Sequence, residues 1–227
     1  MLGRASLGGE ADLVAALRRI AITFLCGAAL LTAGCDPLAE APADAGPGGA
    51  AGKAAALQQL ETLPVGTWQS MSGYSRDRFP HWADQGNGCD TRDSVLKRDG
   101  TGVVASSSCK ITKGSWFSPY DRRTVTDPAG IDIDHVVPLA NAWRTGAAGW
   151  NDQKRGDFAN DLTRPELIAV TASVNRSKGD QDPSQWRPPS HQFWCEYAQR
   201  WISVKAGWQL FVTIDEKTAL QLMLETC

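Results

Sequence analysis

The 227-residue sequence has no excess of charge of either sign: 23 Lys and Arg stand against 25 Asp and Glu, a formal net charge of −2. That balance excludes a histone-like polycation whose whole surface attracts nucleic acid, so any phosphate-binding surface must be local. A membrane-spanning run is missing too, because the mostly apolar stretch at residues 20–31 is too short for a helix to cross about 30 Å of hydrocarbon. No CxxC pair occurs, which argues against cysteine-held zinc. Zinc-finger and recognition-helix patterns are absent, so nothing points to sequence-specific reading of bases. With 22 Gly, 12 Pro, 9 Trp and 42% hydrophobic residues, the chain is neither fibrous nor disordered. One globular domain with a tryptophan-rich core is expected.

The amino terminus reads as an export signal. Arg18 and Arg19 precede the apolar stretch, as in the n- and h-regions of a signal peptide. The stretch runs into Leu31-Thr32-Ala33-Gly34-Cys35, which resembles the lipobox of bacterial lipoproteins and implies lipidation of Cys35. The competing reading is an ordinary secretory signal with a chance cysteine. In both cases the product is exported, as a cell-envelope lipoprotein or an extracellular protein. Residues 1–34 are therefore assigned to the signal, residues 35–58 to a flexible Ala/Gly/Pro linker, and residues 59–227 to one domain. Residues 1–34 carry three arginines and two acids, so the exported part has a net charge of −3.

Four further cysteines, Cys89, Cys109, Cys195 and Cys227, form an even set in a chain bound for an oxidising compartment. Three pairings are possible, and proximity favours Cys89 with Cys109 and Cys195 with Cys227. A four-cysteine zinc site is the alternative.

Residues 60–82 read as packed loop. Val95-Leu96 and Val103-Val104, around the turn signal Asp99-Gly100, predict a hairpin stapled by Cys89 and Cys109. A strand signal runs over residues 124–137, with Ile131, Ile133 and Val136 interleaved with Asp132 and Asp134; helices are expected over 138–143 and 151–160, a buried strand over 167–170 and a helix over 171–178. Trp194, Tyr197, Ala198, Trp201 and Ile202 make the stripe of an amphipathic helix. Thr213 and Glu216 form a capping box for a last helix that returns Cys227 towards Cys195.

The segment Asp132-Ile133-Asp134-His135-Val136-Val137-Pro138-Leu139 carries the chemistry. On a strand, Asp132 and Asp134 share one face while Ile131 and Ile133 turn to the core, placing two carboxylates near a histidine at the strand end. Such a group suits a hard cation, although an Asp-His pair alone is equally a structural hydrogen bond. Downstream come Phe158-Ala159-Asn160-Asp161-Leu162, then the apolar run from Leu167 to Val170, then Asn175-Arg176-Ser177-Lys178-Gly179-Asp180, followed by Pro183 and Trp186. Taken together, these elements resemble the HNH endonuclease family, in particular its exported members, from Gly73-Tyr74-Ser75-Arg76 to Cys227. The third family letter is Asn175 rather than His.

The resemblance implies an α+β fold with a ββα-metal core, a helical insertion, a disulfide-stapled peripheral hairpin and C-terminal helices. It also implies a metal-dependent endonuclease of low sequence specificity, with Asp134 and Asn175 as ligands of one Mg2+ or Mn2+ ion, His135 as general base and Asn160 positioning the histidine loop. Asp132 would add outer charge. A histidine near its unperturbed pKa of about 6.5 accepts a proton from water at neutral pH. An oxygen-ligated cation offsets charge on the phosphoryl and leaving oxygens. Arg176, Lys178, Arg122 and Arg123 are the nucleic-acid contacts considered, beside Lys110 and Lys113. The expected partner is nucleic acid, DNA first, with a membrane reached only through a lipid on Cys35 and a monomeric chain. His81, in Phe79-Pro80-His81-Trp82, and His191 read as structural or surface residues. The rival functions are a catalytically silent envelope lipoprotein used for binding and a phosphodiesterase for small substrates.

Overall fold

The structure, a computed structural model, describes residues 50–227. The signal segment, Cys35 and the first part of the expected linker lie outside the described residues. In chain order the elements are α1 (Ala50–Thr62), β1 (Asp84–Gly86), β2 (Cys89–Asp90), α2 (Thr91–Asp99), β3 (Gly100–Ala105), β4 (Ile111–Ser118), β5 (Arg123–Val125), β6 (Ile131–His135), α3 (Leu139–Arg144), α4 (Asp152–Ala159), β7 (Leu167–Thr171), α5 (Ala172–Lys178), α6 (Trp194–Gly207) and α7 (Ile214–Leu224). A 3-10 turn at Arg76–Arg78 interrupts the loop before β1. The described part is thus mixed α and β, with sheets of two, three and two strands. No described helix is long and apolar enough to cross a membrane.

Two expectations change. Residues 50–58 are not tether but the start of α1: alanine has the highest helix propensity, and Ala56, Leu60 and Leu63 bury in the helical core. Residues 91–99 are not the first arm of a hairpin but helix α2. Asp90 accepts from the Asp93 amide while the Asp93 side chain accepts from the Asp90 amide, and this reciprocal box starts a helix whose Val95 and Leu96 are buried. The hairpin is instead β3 with β4. Gly100, where α2 gives way to β3, leaves no room for a side chain, since a Cβ there would lie 2.5 Å from the Trp116 Nε1. The two disulfides pair Cys89 with Cys109 and Cys195 with Cys227.

The antiparallel ribbon of β6 and β7 lies between two clusters of buried residues, with Asp134 opposite Ile168 and His135 opposite Leu167. One face, with Ile168 and Val170, meets the helical core. The other, with Ile131, Ile133, Leu167 and Ala169, meets Val95, Leu96, Ile111 and Trp116. Burial on both faces explains why residues 167–170 read as a continuous apolar run rather than an alternating one. In the helical core, the fully buried Lys205 pairs with the fully buried Glu216 at 3.1 Å. Its ammonium also donates to Asn141 and Thr145, joining α6 to α7 and α3. Such a pair is tolerated because nearly every donor and acceptor around it is satisfied.

Candidate active site

The last turn of α5 crosses β6. Asn175 and Lys178, three residues apart, share a helix face, and Asp132 and Asp134, two apart, share a strand face. Asn175 Nδ2 donates to Asp132 Oδ2 at 3.3 Å. Lys178 Nζ donates to Asp134 Oδ1 and Oδ2 at 2.8 and 2.7 Å and to the His135 carbonyl at 2.7 Å. Tyr120 Oη donates to Asp134 Oδ2 at 2.6 Å. Burial pushes the Asp134 carboxyl above its ordinary range, against the opposing pull of Lys178 and Tyr120. The sequence suggests Lys178 as a nucleic-acid contact. Its side chain is instead 0% exposed and spends all its donors internally, so it does not reach a phosphate.

His135 stands on the opposite face of β6 from the two carboxylates, in line with strand alternation. Its Nε2 lies 2.9 Å from the Ala159 carbonyl. A carbonyl only accepts, so Nε2 carries the hydrogen and Nδ1 keeps a lone pair with no partner among the described residues. Trp82 stacks on the imidazole at 5.4 Å and 4°, and His81 meets it edge-on at 5.9 Å. Burial is the main cause that lowers the His135 pKa to about 3, opposed by the Ala159 carbonyl and reinforced by Arg76, His81 and Lys178. The imidazole is therefore neutral throughout the physiological range. Asn160 caps α4 and ties it to the segment before β1: Nδ2 donates to the carbonyls of Pro80 and Gly156, and Oδ1 accepts from the Ala83 amide.

A cleft of about 180 Å³ opens at this end of the ribbon, and Asp134, His135, Asn175, Arg76, Arg176 and Asp180 contribute to its wall. The structure thus brings together four residues singled out in the sequence and adds two that were not. Asn160 is not on that wall; it lines a larger cleft of about 780 Å³ that His135 does not reach and whose wall carries Asp152, Asp157, Asp161 and Arg164. It lacks His135, Asp134 and Asn175, which leaves the smaller cleft as the one that gathers the groups for chemistry. The arginine-rich turn is not part of it. Arg122 is engaged with Gln192 and lies over Phe117, and Arg123 is in β5.

Among the described residues no cluster of three or more His, Cys, Asp or Glu could hold a metal. What the cleft offers a cation is sparser. Lys178 and Tyr120 take three of the four lone pairs of Asp134, leaving one on Oδ1, and the Asn175 carboxamide oxygen has no protein partner among the described residues. Two hard oxygens with the remaining positions open to water and phosphate suit magnesium or manganese.

The sequence reading missed Arg76, Tyr120, Lys178 as an internal cation, and Glu166. Glu166 is fully buried; its carboxylate accepts from the Val137 amide at 3.1 Å and its carbonyl from the Val136 amide at 2.7 Å, bracing the turn after His135. Burial pushes its carboxyl well above the usual range. Only Arg76 left a signal, as part of the Gly73 to Arg76 segment quoted above.

Residues 90–222 match the family described as GmrSD restriction endonucleases, C-terminal domain. An uncharacterized secreted protein of Arthroderma benhamiae is 54% identical over 168 residues, covering 74% of this chain and 82% of that protein. No solved structure matches.

Proposed function

The chain belongs to the family of GmrSD restriction endonuclease C-terminal domains, and we propose that it is an exported endonuclease that hydrolyses phosphodiester bonds of nucleic acid in the cleft beside His135. The family match carries the proposal, since its span contains Asp134, His135, Asn160 and Asn175. In this reading β6, β7 and α5 are the ββα-metal core of an HNH enzyme, and DNA is the first substrate to test. The secreted relative and the two disulfides support export; a lipid on Cys35 and a monomeric state are part of the same proposal.

His135 is the general base. Its Nε2–H is committed to the Ala159 carbonyl, so Nδ1 takes the proton of the attacking water. A pKa of about 3 makes the base available but weak before substrate arrives. A phosphodiester brings negative charge into the same cleft, which raises the proton affinity of the imidazole when the proton has to move. Asn160 is a positioning residue: it fixes α4, whose Ala159 carbonyl sets the tautomer. Asp134 and Asn175 would hold a magnesium or manganese ion. Such an ion would offset charge on the phosphoryl and leaving oxygens, and the family resemblance implies products with 5′-phosphate and 3′-hydroxyl ends.

The test is digestion of supercoiled plasmid by the purified chain in magnesium, beside EDTA and His135→Ala controls. Nicking lost in both controls is the expected outcome. Cutting that survives His135→Ala removes the base from this position. A wild type inert with every divalent ion favours a binding protein, and one that cleaves only small phosphodiesters favours a different phosphodiesterase.

A further inference from the structure

The family match begins at residue 90, yet the cleft is walled in part by a segment that precedes it. The Arg76–Arg78 turn and the following residues fold back over His135. Asn160 grips both ends of the 80–83 stretch through Pro80 and Ala83, and Trp82 lies flat on the His135 ring. Arg76 sits on the cleft wall at the head of this segment.

The state of Arg76 is set by His81. His81 Nδ1 lies against the Phe79 carbonyl and Nε2 lies 3.2 Å from Arg76 Nε. A carbonyl cannot donate and a guanidinium cannot accept, so both neighbours select one neutral tautomer, with hydrogen on Nδ1 and a lone pair on Nε2. Arg76 thus spends one N–H on an uncharged partner and keeps its full positive charge. Arg78, Arg98, Arg155, Arg164 and Arg200, by contrast, each face a carboxylate within 4 Å. Arg76 has no such partner among the described residues. On the wall of the same cleft, the Arg176 side chain is 76% exposed and only loosely paired with Asp132 at 3.8 Å. The acids on the wall are Asp134, already neutralised by Lys178, and Asp180.

We infer, building on the nuclease proposal, that Arg76 is a substrate-binding residue supplied by a segment that precedes the matched span: it takes a backbone phosphate of a nucleic acid strand, with Arg176 on the wall of the same cleft and His81 as the positioning residue that aims its guanidinium. A guanidinium held at Nε presents its remaining N–H groups as a planar fork, the geometry that matches phosphate oxygens. Lysine, a point charge with no Nε to anchor, does not substitute for it.

Equilibrium binding of a fluorescent single-stranded oligonucleotide, measured in EDTA as a function of salt on the full exported chain, tests the assignment without calling on cleavage. Arg76→Ala is expected to lower the slope of log K against log salt by about 0.7, the effect of one lost phosphate contact on a single strand, and to weaken binding about tenfold. In magnesium the same variant should raise KM with a smaller effect on kcat. His81→Phe, which removes the acceptor, should reproduce much of the loss, while His81→Gln, which keeps an acceptor near Nε2, should restore it. An unchanged slope for Arg76→Ala in a protein whose wild type binds or cuts overturns the inference and leaves the nuclease proposal standing. Equal losses in His81→Phe and His81→Gln overturn the positioning role. A wild type that neither binds nor cuts overturns both the nuclease proposal and the inference.

Discussion

Replacing Lys178 with methionine keeps the length of the side chain and removes its charge, which isolates what the ammonium does for Asp134. The pair is buried, with side-chain exposures of 0% and 6%, and Lys178 gives Asp134 two of its three hydrogen bonds. Removing one member of such a pair leaves an uncompensated buried charge, a cost of about 3–5 kcal/mol. The carboxyl limits that cost by taking up a proton. From an unfolded-state pKa of about 3.9, holding a proton at pH 7 costs about 4 kcal/mol, at 1.36 kcal/mol per pH unit, and at pH 5 about 1.5. The sign follows from proton counting: the folded variant holds a proton that the unfolded chain releases above about pH 3.9, so its stability falls as pH rises. Urea unfolding followed by tryptophan fluorescence at several pH values between 5 and 8 should show the deficit of Lys178→Met growing across that range. In the double variant Asp134→Asn with Lys178→Met the deficit should no longer grow with pH, because position 134 then has no carboxyl to protonate. A deficit below about 1 kcal/mol at pH 7 with no pH trend, typical of an exposed pair, would refute the buried ion pair.

Glu166 supplies a second pH signature. Its folded pKa is raised by burial, so the folded protein holds a proton that the unfolded chain loses above about pH 4.3, and the stabilisation drains away as pH rises towards the folded value. Glu166→Gln keeps an acceptor for the Val137 amide and cannot titrate; its stability curve between pH 5 and 8 should be flatter than that of the wild type, and parallel curves would contradict the assignment. For catalysis, a His135 pKa of about 3 in the free protein predicts that kcat/KM has no acid limb near pH 6.5 and stays level to below about pH 5. An inflection near 6.5 that disappears in no other variant would mean that the imidazole is better solvated than the geometry shows.

Local chemistry accounts for the elements that were legible from sequence. The Thr213 and Glu216 box starts α7 as expected, the aromatic stripe from Trp194 to Ile202 lies on α6, and residues 131–135 and 167–171 form the two strands of the ribbon. The places that misled are those where a local signal competed with another. Val95-Leu96 beside Asp99-Gly100 imitates a hairpin, but the Asp90 and Asp93 box just ahead of Val95 commits the stretch to a helix. The Ala-rich stretch after residue 50 reads as linker until α6 and α7 offer a surface for Ala56 and Leu60.

The sequence by itself singled out Asp134, His135, Asn160 and Asn175 as the candidates for chemistry, and strand periodicity alone puts Asp134 and His135 on opposite faces of β6. Only the tertiary structure decided their company. Lys178 is adjacent in sequence to a surface serine, but the crossing of α5 over β6 buries it against a carboxylate 44 positions away. Arg76, His81 and Trp82 reach His135 across more than 50 residues, and Asn160 closes that contact from the end of α4. Such pairings depend on how elements pack in three dimensions, and the charge state of each group depends on the burial that packing creates, so neither is written in any window of the chain.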